Sequence, residues 1–186
     1  MSIFDDALRA PTAESLMARS QAVQAVHLGE VVETSFSPSQ IREGVCEAGI
    51  KTWLSEKIWP YQKKQPALYD ITANDDHTAS LIVGAFPSNS DRGFDGPKVN
   101  KGTEGSTTLY VGSSEDIQKR LREHLWTTRS GCTYAMHLSR WCPSGEGSVR
   151  VRVQAILHNE SRDLRQDLED AVWRQFKPRL GKPGGR

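Results

Sequence analysis

The sequence predicts a mixed α/β (α+β) fold, with a small central antiparallel three-stranded sheet flanked by helices over residues 61–186 and a helical segment over residues 1–60. Three observations predict it. The spacing of apolar residues shortens from about 3.6 positions to about 2 near Pro66. At 106–112 the alternating run "STTLYVG" leads directly into an amphipathic helical pattern. At 148–158 "SVRVRVQAILH" alternates cleanly, and apolar residues then recur every four positions to Phe176.

The first sixty residues read as helical. Pro11-Thr12 suits a helix start, with Leu16, Val23 and Val26 roughly on one face. "SFSPSQIREGVCEAGI" reads as a second helix, capped by Ser37 or Ser39 and ended by Gly49; "KTWLSEKIW" is a third, stopped by Pro60. A helix, glycine turn and helix is also the pattern of a DNA-reading pair, but this segment is net acidic, which disfavours DNA contact and favours a helical appendage.

Beyond Pro66, "ALYDITA" and "ASLIVGAF" read as two strands joined through "NDDHT" into a hairpin. A polar, glycine-rich loop follows at about 87–106, too long for a tight connection. The strand of "TLYVG" then precedes a helix capped by Ser113 or Ser114, with Glu115 and Asp116 in its first turn. Ile117, Leu121 and Leu125 form its apolar stripe, and Arg120 and His124 lie along one edge of that stripe, where a side chain reaches a cleft from a packed stem. "TYAMHLSRW" reads as a helix with Met136 and Leu138 packed. The last helix is strongly amphipathic, with Leu164, Leu168, Val172 and Phe176 recurring every four residues, Ser161 as cap and Pro178 as terminator.

Composition bounds the function. Hydrophobic residues make up 37% of the 186 and charged residues 25%, which supports a packed core and excludes global disorder. The net charge is +1, but residues 1–60 carry eight acidic and five basic side chains, against 15 and 19 in residues 61–186. A basic second half is compatible with a polyanionic partner. Three cysteines, Cys46, Cys132 and Cys142, make no disulfide framework and suit a reducing compartment. No apolar run approaches the roughly 20 residues of a membrane span, and the first residues lack a secretory pattern. The expectation is a cytoplasmic protein, or one exported by a signal-independent machine if it acts as a toxin. Cys132, His137, Cys142 and His158 could be zinc ligands, but intervals of five and five between the first three are unlike the tight pairs of structural zinc sites.

Several of these residues stand in a familiar order. "PALYDIT" places Leu68-Tyr69 in the manner of a first motif, and "LYVG" ends a second strand. Arg120 follows Tyr110 by ten positions within "RLREHL", and Glu169 precedes Pro178 by nine. Over residues 66–183 this resembles the GIY-YIG nuclease superfamily. Two departures stand out: Gly181 occupies a position where that family usually has asparagine, and Tyr69 and Tyr110 are 41 residues apart, a separation that the glycine-rich loop accounts for as an insertion.

The resemblance implies a DNA endonuclease dependent on magnesium, with manganese as alternative. Glu169 would be the metal ligand, since a hard carboxylate oxygen suits an ion that keeps several waters. Arg120 would offset charge on the phosphorane. Tyr69 would act as base and Tyr110 would orient phosphate or water, or the two would exchange roles. His124 would lower a tyrosine's proton affinity or accept its proton. Arg150, Arg152, Lys177, Arg179 and Lys182 are candidate phosphate contacts, and the loop at 88–106 is the candidate for substrate choice. A non-catalytic nucleic-acid binder on the same core is the alternative. Restriction, repair, mobile-element and toxin roles stay open, the last with an immunity protein as partner, as does the oligomeric state.

Overall fold

A computed structural model describes residues 6–44, 46–57, 66–87, 95–126, 134–157 and 161–184. Helix α1 (Asp6–Gln24) leads to strand β1 (Leu28–Phe36), helices α2 (Pro38–Glu43) and α3 (Cys46–Lys57), strand β2 (Ala67–Ala73) and helix α4 (Asp76–Gly84). Strand β3 (Thr108–Ser114), helices α5 (Ile117–Leu125) and α6 (Leu138–Trp141), strand β4 (Val149–Ile156) and helix α7 (Arg162–Phe176) follow. The four strands form one antiparallel sheet in the order β1-β4-β2-β3.

The sheet thus has four strands, not the three expected, because the first sixty residues are not all helical. "LGEVVETSF" pairs along β4 from Leu28↔Ile156 to Phe36↔Val149. Its alternation is muted, since Leu28 and Val31 are exposed and only Phe36 is buried, so helical periodicity on either side masked it. The expected hairpin is also replaced. Asp75 caps α4 by accepting the Thr78 N–H at 2.7 Å, which turns "ASLIVG" into a helix burying Ala79 and Ile82. The partner of β2 is instead β3, across the long loop, with Tyr69 opposite Gly112 and Ile71 opposite Tyr110.

Smaller boundaries moved for identifiable reasons. Helix α1 begins before Pro11 and runs through it, and Leu16 and Val23 are exposed. Ser37 and Gln40 form a reciprocal capping box at α2, but Gly44, at φ 72°, ends that helix five residues before Gly49. Strand β3 extends through Ser113 and Ser114, so Asp116 caps α5 by accepting the Lys119 N–H. Helix α6 is only four residues long. The Met136 N–H donates to His124 Nδ1 at 3.2 Å and its carbonyl accepts the Trp141 Nε1–H at 2.6 Å, so both backbone groups bond to side chains instead of a helical ladder. The cap of α7 is Ser161 as expected, and Lys177, at φ 47°, ends it.

The sheet separates two packing layers. Tyr69, Ile71, Val151 and Val153 are buried on the face that carries α5, whose Ile117, Leu121 and Leu125 are fully buried. Asp70 and Arg152 point to the opposite face, where Arg152 lies 5.4 Å from the Phe176 ring of α7. Arg19 of α1 donates to Asp167 of α7 at 2.9 Å, tying the N-terminal helix outside that layer.

Candidate active site

The site gathers where α5 crosses the β2–β3 pair. Tyr69 projects from the middle of β2 and its ring runs over Gly112, its cross-strand neighbour. A Cβ at Gly112 would stand 2.6 Å from Tyr69 Cζ and 3.0 Å from Cε1, so only glycine admits the ring there. Tyr110, two residues earlier on β3, lies nearly parallel to Tyr69 with centroids 6.2 Å apart. The edge of the α5 stripe supplies the remaining groups. Arg120 Nε donates to Tyr69 Oη at 3.2 Å, Arg120 Nη2 to Tyr110 Oη at 3.4 Å, and Arg120 Nη1 to Glu123 Oε2 at 3.0 Å. His124 Nε2 lies 2.9 Å from Tyr69 Oη, and its ring is 4.3 Å from that of Tyr110.

The tautomer of His124 follows from its two partners. A backbone N–H can only donate, so Nδ1, facing Met136, is an unprotonated acceptor. Burial, reinforced by Arg120 and His137, pushes the imidazole well below its ordinary range, so the ring is neutral. Its single proton is therefore on Nε2 and is donated to Tyr69 Oη. The phenol oxygen accepts two N–H donors, from His124 and Arg120, and of the two expected roles for His124 this geometry favours easing phenolate formation over taking the proton.

Burial raises the proton affinity of both phenols, and Arg120 works against that rise at each. For Arg120 burial opposes the charge, but the two phenol oxygens and Glu123 outweigh it and hold the proton more tightly than usual. Glu123, 4% exposed, is a site residue the sequence reading missed; its position one turn after Arg120 is the signal that could have found it.

Glu169 arrives from the other layer. It lies on α7 and meets the edge of β3, where Ser113 donates its hydroxyl proton to Oε2 at 2.6 Å. Burial raises its proton affinity, while the Ser113 hydrogen bonds and the field of Arg120 pull it down. Glu169 and Tyr110 line one cavity of about 830 Å³, together with Lys98, Lys182, Tyr134 and Phe86. Gly181, at φ 99°, also borders it; a Cβ there would stand 3.0 Å from Tyr110 Cε2, so glycine at this departure from the family pattern is matched to the tyrosine beside it.

The basic candidates divide. Arg179 is 7% exposed and donates to the Ser106 carbonyl at 2.6 Å, to Ser80 Oγ at 3.0 Å and to Asp76. Arg152 holds Asp70 through Nε at 3.0 Å to each oxygen, on the α7 face. Both are engaged by side chains and carbonyls of the fold itself. Arg150 is 3.9 Å from Glu33, Lys177 is exposed at the end of α7, and Lys182 lines the cavity. Of the zinc candidates, Cys132 and His158 lie outside the described residues; His137 and Cys142 are buried, and no group of three or more His, Cys, Asp or Glu suited to a metal occurs among the described residues. No helix among them is long and apolar enough to cross a membrane. Compared with protein-family models, curated proteins and solved structures, the chain finds no match in any of the three.

Proposed function

We propose that the chain is a metal-dependent DNA endonuclease of the GIY-YIG type. The observation that carries this reading is the convergence of Tyr69, Tyr110, Arg120 and His124 in one hydrogen-bonded group, with Glu169 reaching the Tyr110 cavity around the sheet edge. These are the residue types and the chain order that the resemblance requires, drawn from two strands and two helices.

The residues fit a hard divalent cation. Glu169 offers a carboxylate oxygen at a cavity roomy enough for bound water, and its burial leaves a charge that a cation would relieve. Magnesium or manganese bound there would offset charge on the leaving 3′ oxygen. The chain's own groups do the rest. Once its own proton has passed to solvent, Tyr69 takes a proton from the attacking water as a phenolate held by N–H donation from Arg120 and His124. Arg120 also faces a non-bridging phosphate oxygen, and Tyr110 orients the phosphate. Of the basic candidates, exposed Lys177 and Lys182 and half-exposed Arg150 are placed to meet the DNA backbone.

A non-catalytic nucleic-acid binder on the same core is the competing reading, favoured by the near-complete burial of Tyr69, which is 3% exposed. Incubation with supercoiled plasmid separates the two. The endonuclease nicks it with magnesium, stops on chelation, and loses cutting but not binding in Arg120→Ala and Glu169→Ala. A native chain that binds plasmid and never cuts it with magnesium or manganese is the binder. If it cuts, discrete fragments mark a restriction role, and growth arrest relieved by a cognate immunity protein marks a toxin.

A further inference from the structure

The part of the cavity outside the Tyr110–Glu169 wall carries its own pattern. The inserted loop does not stray from the fold over its described part. Val99 bridges Leu180, Asn100 N donates to the Arg179 carbonyl and Gly181 N to the Lys98 carbonyl, each at 2.8 Å, and Asn100 Nδ2 donates to the Pro178 carbonyl at 2.8 Å. The same tail segment is fixed from the other side, with Arg179 N donating to the Thr108 carbonyl and Leu180 N to the Leu109 carbonyl, each at 2.9 Å. This ladder sets Lys98 across from Gly181, and Lys98 and Lys182 both line the cavity rim. Among the described residues neither ammonium has a carboxylate partner within ion-pair distance. Two ammonium groups that line one cavity without a carboxylate partner make its rim attractive to an anion.

The rim also presents aromatic surface. Tyr134 lines the cavity and is 66% exposed, an unusual state for a large ring in a folded chain. Phe86 lies nearby, its ring edge-on to Trp141 with centroids 4.8 Å apart. A cavity of about 830 Å³ falls in the range of pockets that enclose a small ligand. Paired cations beside an exposed ring are the means by which proteins hold a single nucleic-acid strand, phosphates on lysine and bases on an aromatic face. A base buried in such a pocket has left its duplex stack.

We infer that this rim is a subsite for an unpaired nucleotide, with Lys98 and Lys182 on its flanking phosphates and Tyr134 stacked on its base; this rests on the endonuclease reading and adds that the preferred substrate is single-stranded or carries an unpaired base. Discrimination between structured and fully paired DNA then comes from the inserted loop through Lys98, together with Tyr134 ahead of α6.

The test uses the full chain with Glu169→Gln, so that binding is read without cutting, and fluorescein-labelled oligonucleotides: a single strand, a perfect duplex, a duplex with one unpaired base, and the same duplex with an abasic site there. Anisotropy gives the affinities. The subsite predicts tighter binding to the single strand and the unpaired-base duplex than to the perfect duplex. Adding Tyr134→Ala weakens the unpaired-base complex about tenfold and leaves the abasic complex unchanged. Adding Lys98→Ala and Lys182→Ala lowers the salt slope on the single strand by about 1.4. All three side chains are exposed, so the fold survives their removal. If the native chain nicks plasmid while these substitutions alter neither affinity nor salt slope, the subsite is wrong and the endonuclease stands. If the native chain neither binds any of the oligonucleotides nor nicks plasmid, both are overturned.

Discussion

Gly112→Ala isolates the packing that seats Tyr69. No positive φ is involved at Gly112, so alanine is compatible with the backbone. At such a position, glycine to alanine ordinarily stabilises a chain by about 0.4–1 kcal/mol by restricting the unfolded state. Here the new Cβ would stand 2.6 Å from Tyr69 Cζ, and strand backbone and a fully packed ring face each other with no flexible terminus to yield. The ring must move, which stretches its bonds to His124 at 2.9 Å and Arg120 at 3.2 Å. Overpacking costs about 1–3 kcal/mol and two weakened hydrogen bonds about 1 kcal/mol each, so the net loss is about 3 kcal/mol, or about 6–12 °C in Tm for a chain of this length. The decisive assay is the same substitution in a Tyr69→Ala background, followed by urea unfolding. With the ring gone, Gly112→Ala should become neutral or stabilising by up to about 1 kcal/mol. An equal cost in both backgrounds, or no cost in the native one, would refute the seating of Tyr69 over Gly112.

Three further outcomes follow from the site. In ¹⁵N-detected NMR, His124 should show a protonated Nε2 and an unprotonated Nδ1 between pH 6 and 8, with no titration in that interval; a protonated Nδ1 would remove it as a donor to Tyr69. Glu169 has a raised proton affinity when folded, so its contribution favours the fold below its unfolded pKa and is lost as pH rises through the folded one. Glu169→Gln should therefore have a higher Tm than the native chain at pH 8, with the gap closing as pH falls through the range where Glu169 protonates, and magnesium should raise the Tm of the native chain alone; a gap that widens in acid contradicts the sign. Arg179→Met should destabilise by about 2–3 kcal/mol through lost hydrogen bonds while DNA affinity of the folded chain stays unchanged, and a loss of affinity without loss of stability would return Arg179 to the DNA interface.

Much of this was legible before folding, where one residue's own chemistry decides. Strand β4 and helix α7 stand out because their apolar residues repeat at an undiluted period, and Ser161 is a cap by spacing alone. Arg120 and His124 were visible as an edge pair because 3.6-residue geometry fixes helix faces without tertiary help. The pairing of β2 with β3 was not legible. It depends on a contact across more than thirty residues, and a strongly apolar "ASLIVG" beside a turn reads equally well as strand or helix until the Asp75 cap is seen. Strand β1 was hidden for the opposite reason, since an edge strand with one thinly covered face has no clean alternation. Glu169 could be placed on a helix but its approach to Ser113 around the sheet edge could not, because it requires α7 and β3 to be packed. Arg179 looked like a free surface cation because nothing local shows that Ser80, Asp76 and Ser106 converge on it.

Tyr69, Arg120 and Glu169 are proposed to act as one unit on a DNA phosphodiester, and single-turnover nicking of a defined plasmid tests this most directly. The native chain should cut with magnesium, Tyr69→Phe, Arg120→Ala and Glu169→Gln should each lose about a hundredfold to a thousandfold in rate, and pairwise combinations should fall little further, as groups that serve one transition state do. A native chain inert with magnesium and manganese, or a Glu169→Gln chain that cuts at the native rate, would contradict it.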